Sequence, residues 1–187
     1  KDFNREYFFN LKAAFNKKLS LFQLVNYPNP KKMFNKNYPF YTSSSSHMIN
    51  HFKKLSKFIK KNYMSKNSIL LEIGSNDGTF LNNFNKKKSY GFEPSKSVHL
   101  KAKKRRINSI NKFFNLNNIK VLKKLYYKID VIFGANVFCH IPDQRNLIKS
   151  IDRMLSPNGT IIFEEPYLGS MYEKTSYDQI YDEHIFM

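Results

Sequence analysis

The chain has no tryptophan, one cysteine, six glycines, and 14 acidic residues against 32 Lys and Arg. Each shortage excludes something. A lone Cys139 rules out an internal disulfide and a cysteine zinc cluster, and fits a reducing cytoplasm. Apolar runs such as Val131-Ile132-Phe133 stop far short of the roughly 20 residues a membrane span needs. No membrane partner is therefore expected. The opening Lys1-Asp2-Phe3-Asn4-Arg5-Glu6 is charged where a secretory signal would be apolar. A G-x-S-x-G nucleophile elbow is missing, and no i, i+4 or C-x-x-C spacing joins His140 to His184 as a metal site.

The acid deficit leaves a formal charge of +18, which invites a nucleic-acid reading. The lysines, however, are spread over almost every segment, among abundant Asn, Ile, Phe and Tyr, as an AT-rich coding sequence would produce. The one dense cluster, Lys101 to Arg106, falls at a helix end, where cations complement the helix dipole. A solvated surface is the plainer reading, and nucleic acid is not an expected partner. At 187 residues and 41% hydrophobic content, one domain with a buried core is expected. The chain starts without methionine and stops in the apolar pattern of Phe186-Met187. That reads as a piece of a longer protein.

From Ser68 onward the pattern alternates. Strands are predicted at 69–73, 89–93, 107–110, 129–134 and 159–165, with helices at 78–86, 96–104, 117–125 and 143–155. Such alternation argues for an α/β fold, Rossmann-like, with a doubly wound and mostly parallel sheet. Ahead of it, Met48, Ile49, Phe52, Leu55, Phe58 and Ile59 recur at helical spacing behind a serine run that supplies an N-cap. Residues 1–44 read as an irregular extension with one strand at Leu21–Val25.

The stretch Ile69-Leu70-Leu71-Glu72-Ile73-Gly74-Ser75-Asn76-Asp77-Gly78 runs strand, tight loop, helix. A second apolar run, Tyr90-Gly91-Phe92, ends in Glu93. This is the layout of a nucleotide-binding βαβ unit whose second-strand acid accepts hydrogen bonds from ribose hydroxyls. The loop lacks the G-x-G-x-x-G that brings backbone amides onto a pyrophosphate, and Glu72 and Asp77 would repel phosphate. An adenosine with no phosphate and a cationic centre fits: S-adenosylmethionine. Gly74, Glu93, Asn136 and Glu164 would then share the ligand-binding rim at the strand ends. If a carbon is methylated, a base must first remove a proton, and Tyr181, Glu183 and His184 are a plausible base group. His47, His51 and His99 receive no role.

Taken together, the L-E-I-G-S-N-D-G-T-F-L run from Leu71, G-F-E-P-S from Gly91, A-N-V-F-C-H-I from Ala135 and Y-D-E-H from Tyr181 resemble the S-adenosylmethionine-dependent sugar C-methyltransferases. These enzymes methylate a carbon of a nucleotide-linked keto-deoxyhexose. The resemblance runs from about Leu21 to the end of the chain and implies a class I methyltransferase fold over 45–187. It implies that Glu72, Gly74, Asn76 and Gly78 shape the cofactor loop, that Glu93 holds the ribose, and that Asn136 contacts cofactor or substrate. It implies His184 as the base, assisted by Tyr181, Glu183 and His140. Tyr41, in Y-x-S-S, and Glu164 are the expected substrate contacts. Family members carry an N-terminal zinc module whose C-x-x-C pair falls here on Asn16 and Leu19, so segment 1–44 is expected to be a remnant without ligands. The resemblance implies that the family's C-terminal sugar-binding domain is expected to be missing from this chain. Two other readings stay open: a methyltransferase of another small molecule or of RNA, and a non-catalytic cofactor-binding module.

Overall fold

The structure, a computed structural model, describes residues 9–181 and 184–187. Five parallel strands form its centre: β3 (Leu70–Ile73), β4 (Ser89–Phe92), β5 (Ser109–Ile110), β6 (Ile129–Ala135) and β7 (Leu155–Glu164). They lie in the order β5-β4-β3-β6-β7. The chain winds outward from β3 to β5, then crosses back to β6 on the other side of β3. That reversal makes β3/β6 the switch point where doubly wound sheets open a crevice at their carboxyl ends. The expected doubly wound topology is what the chain adopts.

Both faces of the sheet are covered because successive strand residues point to opposite sides. On one face Leu70, Val131 and Phe133 pack with Phe52 and Ile59 of α2 (Ser46–Tyr63) and with Phe80. On the other, Leu71, Ile73 and Ile132 pack with Leu147, Ile151 and Met154 of α4 (Gln144–Met154). Ile129 also joins that second face, although two-residue periodicity would put it with Val131. The reason is a bulge: the N–H groups of Asp130 and Val131 both donate to the Ile69 carbonyl, at 3.0 and 3.2 Å.

The helices begin where side chains can cap them. Ser45 Oγ accepts the Met48 N–H at 3.3 Å, and Asp143 Oδ1 accepts that of Asn146 at 3.0 Å. Within α2 the predicted stripe is only partly buried, with Ile49 and Phe58 exposed. The helix α3 (Lys96–Lys104) matches its expected span, whereas the helix expected at 78–86 contracts to the 3-10 turn Leu81–Asn83. Asn83 Nδ2 donates to the carbonyls of Thr79 and Phe80, at 3.1 and 3.0 Å, competing for acceptors an α-helix would use. Residues Ile119–Leu125 are likewise 3-10, with non-helical angles at Leu122. β5 keeps only two residues of its expected four. Between the helix expected at 143–155 and the strand expected at 159–165, the chain loops out between the pairs Ile129↔Leu155 and Val131↔Thr160. No described helix is long and apolar enough to cross a membrane.

Residues 9–44 are more ordered than the sequence suggests. β1 (Ala13–Asn16) and β2 (Leu21–Leu24) form an antiparallel hairpin, followed by the short helix α1 (Pro30–Met33). Asn16 and Leu19 lie at its turn, where Asn16 Oδ1 accepts the N–H groups of Lys18 and Leu19 at 3.0 and 3.2 Å. β2 gains a second partner at the other end of the chain. Leu24 N–H donates to the Ile185 carbonyl at 2.9 Å, and Met187 N–H to the Phe22 carbonyl at 2.9 Å.

Residues 40–43 then cross the glycine loop as a strap. Asn76 Oδ1 accepts the Thr42 N–H at 3.0 Å, Asn76 Nδ2 donates to the Phe40 carbonyl at 3.2 Å, and Asp77 Oδ2 accepts the Ser43 N–H at 3.2 Å. Asp77 is fully buried, and its Oδ1 accepts the Thr79 hydroxyl at 2.6 Å. Arg105 and Lys101 approach its oxygens at 3.5 and 3.6 Å. Burial alone would push this carboxyl up; the hydrogen bonds from Ser43 and Thr79 and the Arg105 charge outweigh it and hold it below its ordinary value. A carboxyl lowered in the fold contributes stability above its unfolded pKa that is lost as pH falls through the folded one. Asp77→Asn should therefore cost about 1–3 kcal/mol at pH 7, and the deficit should shrink as both proteins are acidified. Urea titrations across that range test this; a deficit that persists unchanged in acid would mean the charge is not what matters.

Candidate active site

A cavity of about 1200 Å³ opens at the carboxyl ends of β3, β4 and β6. At one end it is walled by Glu72, Gly74, Asn76 and Glu93, at the other by His140, Tyr181 and His184, with Asn136 also on its wall. Two groups of residues read as functional from sequence, the acidic loop and the histidines, thus meet in one space.

Gly74 and Gly78 have φ of +68° and +76°, the left-handed region that strains any residue with a Cβ. A Cβ on Gly74 would also sit 2.7 Å from Val137 Cγ2, and one on Gly78 2.8 Å from Ile107 Cγ1. Gly78 is needed for the turn and does not line the cavity. Asn76 and Asn136, at φ 46° and 50°, are of the non-glycine type that best tolerates this region. Asn136 is fixed there by its N–H donating to the Glu164 carbonyl at 2.7 Å.

The carboxylates differ in what they hold. Glu93 accepts the Asn76 N–H at 3.0 Å on Oε2 and the Ser95 N–H at 2.7 Å on Oε1. Each oxygen keeps a lone pair for a further donor, such as a ribose hydroxyl. Burial pushes its carboxyl up, and the Ser95 and Asn76 bonds only partly offset this. Glu72 is in a harsher position. Its Oε2 is buried with no partner among the described residues. Burial first, then the charges of Glu93 and Asp77, raise its pKa well above the ordinary value. An orphaned carboxylate on a cavity wall calls for a cation or a donor from a ligand. Glu72, Glu93 and Asp143 line the cavity against Lys31 among its described cations. This donor set suits a cationic cofactor. Asp77, by contrast, faces the strap and its own cations, so it is not the phosphate-repelling wall residue the sequence suggested.

At the other end, His184 is 3% exposed. Its Nδ1 lies 2.8 Å from the Gln179 carbonyl and its Nε2 lies 2.7 Å from the Tyr181 hydroxyl. A carbonyl can only accept, so Nδ1 carries the proton and neutral His184 presents the Nε2 lone pair to Tyr181. Burial lowers its pKa; the His140 charge adds to that, while the Gln179 bond and Glu165 oppose it. His140 stacks beside it, ring centroids 5.1 Å apart. Glu165 caps the turn that bears His140: its carboxylate accepts the N–H groups of Val137, Phe138 and Cys139 at 3.0, 2.8 and 3.2 Å.

Three expectations need correction or fall away. Tyr41 does not line the cavity; its ring lies under the Lys101 ammonium at 4.5 Å. The backbone at Tyr41 is extended, so it points away while Phe40 and Thr42 face the cavity. Glu164 is not on the wall either. Its carboxylate meets His51 Nε2 at 2.8 and 3.0 Å, which gives His51 the structural role that sequence denied it. Glu183 lies outside the described residues. Sequence reasoning missed Glu165 and Gln179. Strand alternation could have separated Glu165 from Glu164; Gln179 acts through its backbone carbonyl, which leaves no mark in a sequence.

A parallel sheet reversing at β3/β6, with a glycine loop and an acid at the end of β4, is the class I Rossmann-like methyltransferase fold, whose cofactor is S-adenosylmethionine. Residues 46–187 match the family described as a methyltransferase domain, and the chain belongs to that family. A curated relative, C-methyltransferase NovU of Streptomyces niveus, is 24% identical over 186 residues, covering 98% of this chain and 44% of NovU. The chain thus spans less than half the length of that relative. An S-adenosylmethionine-dependent methyltransferase of Methanococcus maripaludis superposes with a TM-score of 0.57 at 15% identity, over 82% of this chain and 78% of its own. The CurJ carbon methyltransferase superposes with a TM-score of 0.53 at 17% identity, over 74% and 40%.

Glu72 provides a direct test of the cofactor end. A carboxyl raised in the fold contributes stability below its unfolded pKa and loses it as pH rises through the folded value. Glu72→Gln should thus raise the melting temperature of the ligand-free chain at pH 7, while weakening S-adenosylmethionine about tenfold or more. Thermal melts with and without cofactor measure both. A variant that melts lower and binds as tightly as the wild type would sink this account.

Proposed function

We propose that this chain transfers the methyl group of S-adenosylmethionine to a carbon next to the ketone of a nucleotide-linked deoxy sugar. The observation that carries the reading is the Tyr181–His184–Gln179 hydrogen-bond chain on the wall of the cavity shared with Glu72 and Glu93. Transfer to oxygen or nitrogen needs little beyond alignment of nucleophile, methyl and sulfur. Transfer to carbon needs a base, and the hydrogen-bonded Tyr181–His184 pair supports that choice. The likeness to NovU, named a C-methyltransferase, supports the same choice.

When bound, S-adenosylmethionine supplies an electrophilic methyl on a sulfonium. Glu72 offers its orphaned oxygen to the cofactor's positive charge, and Glu93 accepts from the ribose. Tyr181 is 37% exposed and His184 3%, so the phenol is the group a substrate meets first. Tyr181 oxygen takes the proton from the carbon beside the ketone as its own proton passes to His184 Nε2. The electron pair left on the substrate forms an enolate; the cofactor held by Glu72 and Glu93 would supply the methyl, its carbon–sulfur bond breaking as the carbon–carbon bond forms and the neutral thioether leaving. His140, beside His184, and Asn136 are the neighbouring groups for the ketone oxygen.

Two outcomes are expected. His184→Ala and Tyr181→Phe should each slow turnover about 10²–10⁴-fold with S-adenosylmethionine affinity nearly unchanged. Solvent deuterium entry beside the ketone, followed by NMR without cofactor, should slow in parallel. Because burial lowers the His184 pKa, the acid limb of the pH–rate profile should fall below the ordinary histidine value. Exchange at the wild-type rate in both variants would falsify the relay.

A further inference from the structure

Cys139, His140 and His184 each offer a ligand atom, and these atoms all lie within 4.8 Å of one another. We propose that they form a site for a borderline-soft metal ion such as Zn²⁺, and that occupancy switches methyl transfer off. The switching half rests on the functional reading above; the binding half does not.

The ligand set is built from two distant segments locked together at that point. Cys139 and His140 sit on the turn Phe138–His140, which the Glu165 carboxylate caps through three N–H groups. His184 arrives from the end of the chain. The Cys139 carbonyl accepts the Ile185 N–H at 2.8 Å, and residues after His184 pair with β2. Backbone bonds on both sides hold the three donors close before any ion arrives, which lowers the ordering cost of binding. The His184 Nδ1–H bond to the Gln179 carbonyl, 2.8 Å, is the outer-shell arrangement that orients metal-ligating imidazoles and leaves the other nitrogen to the ion.

Two imidazoles and a sulfur select zinc, cobalt or copper over magnesium and calcium, which prefer oxygen. Three protein ligands leave a fourth position, and His140 and His184 both face the cavity, so a water or a substrate oxygen can reach it. On binding, the Cys139 thiol loses its proton to solvent and coordinates as thiolate. The His184 Nε2 lone pair goes to the metal, so the Tyr181 hydroxyl loses its acceptor. The relay then has no proton sink.

The test uses the full chain, stripped of metal and titrated with Zn²⁺ against a chromophoric chelator. One ion per chain should bind at least about 100-fold more tightly than Mg²⁺. Cys139→Ser should weaken Zn²⁺ about tenfold or more while binding S-adenosylmethionine like the wild type, which also reports that it folds. With Co²⁺, the wild type should show a sulfur-to-cobalt charge-transfer band that Cys139→Ser lacks. Zn²⁺ should inhibit methyl transfer, and Cys139→Ser should turn over normally and resist that inhibition. Zinc no tighter than magnesium, or a cobalt spectrum without the sulfur band, overturns the site. Tight binding with undiminished turnover overturns the switch. Tight binding in a chain that methylates no keto sugar refutes the reaction and leaves the site standing.

Discussion

Glu72, Asp77 and Glu93 are all buried around one loop, and three like charges so enclosed repel. The fold divides its compensation unequally. Asp77 receives Arg105, Lys101, the Thr79 hydroxyl and the Ser43 N–H. Glu93 receives two backbone N–H groups. Glu72 Oε2 receives no partner among the described residues. Much follows from that division. The demand of Asp77 draws residues 40–43 over the loop, and the bonds of Glu93 shape the turn at Asn76. The unmet demand of Glu72 remains on the cavity wall, where a cationic ligand would relieve it. The price of that ligand site is a fold less stable at neutral pH than it could be, consistent with strain gathering where binding occurs.

The opposite end of the cavity is organised by backbone rather than by charge. His184 lies in a segment whose following residues pair with β2 and with the Cys139 carbonyl. The N-terminal hairpin is thus a scaffold for the histidine end, and the strap that follows it is a scaffold for the glycine-loop end. One extension serves both, which explains why a segment that reads as irregular is held by so many long-range hydrogen bonds.

Much of the fold was legible. The alternation from Ser68, the serine cap before α2 and the glycine turn after β3 are local matters of period, cap and φ, and local residues decide them. The failures were local too, but of another kind. Asn83 turned the expected helix at 78–86 into a 3-10 turn because its amide competes for the helix's own carbonyls. Periodicity counts apolar positions and does not see that competition.

The site was legible as chemistry and illegible as direction. Sequence alone determined that a carboxylate follows β4, that glycines must turn the loop after β3, and that a tyrosine and a histidine stand three apart near the end. Those requirements reside in residue type and spacing. Only tertiary structure decided which of two nearby residues faces the cavity, Thr42 rather than Tyr41 and Glu72 rather than Asp77, and which glutamate turns toward the His140 turn, Glu165 rather than Glu164. In extended backbone a shift of one residue turns a side chain to the other face. Which face is the inside depends on partners far along the chain, such as His51 for Glu164 and Lys101 for Tyr41.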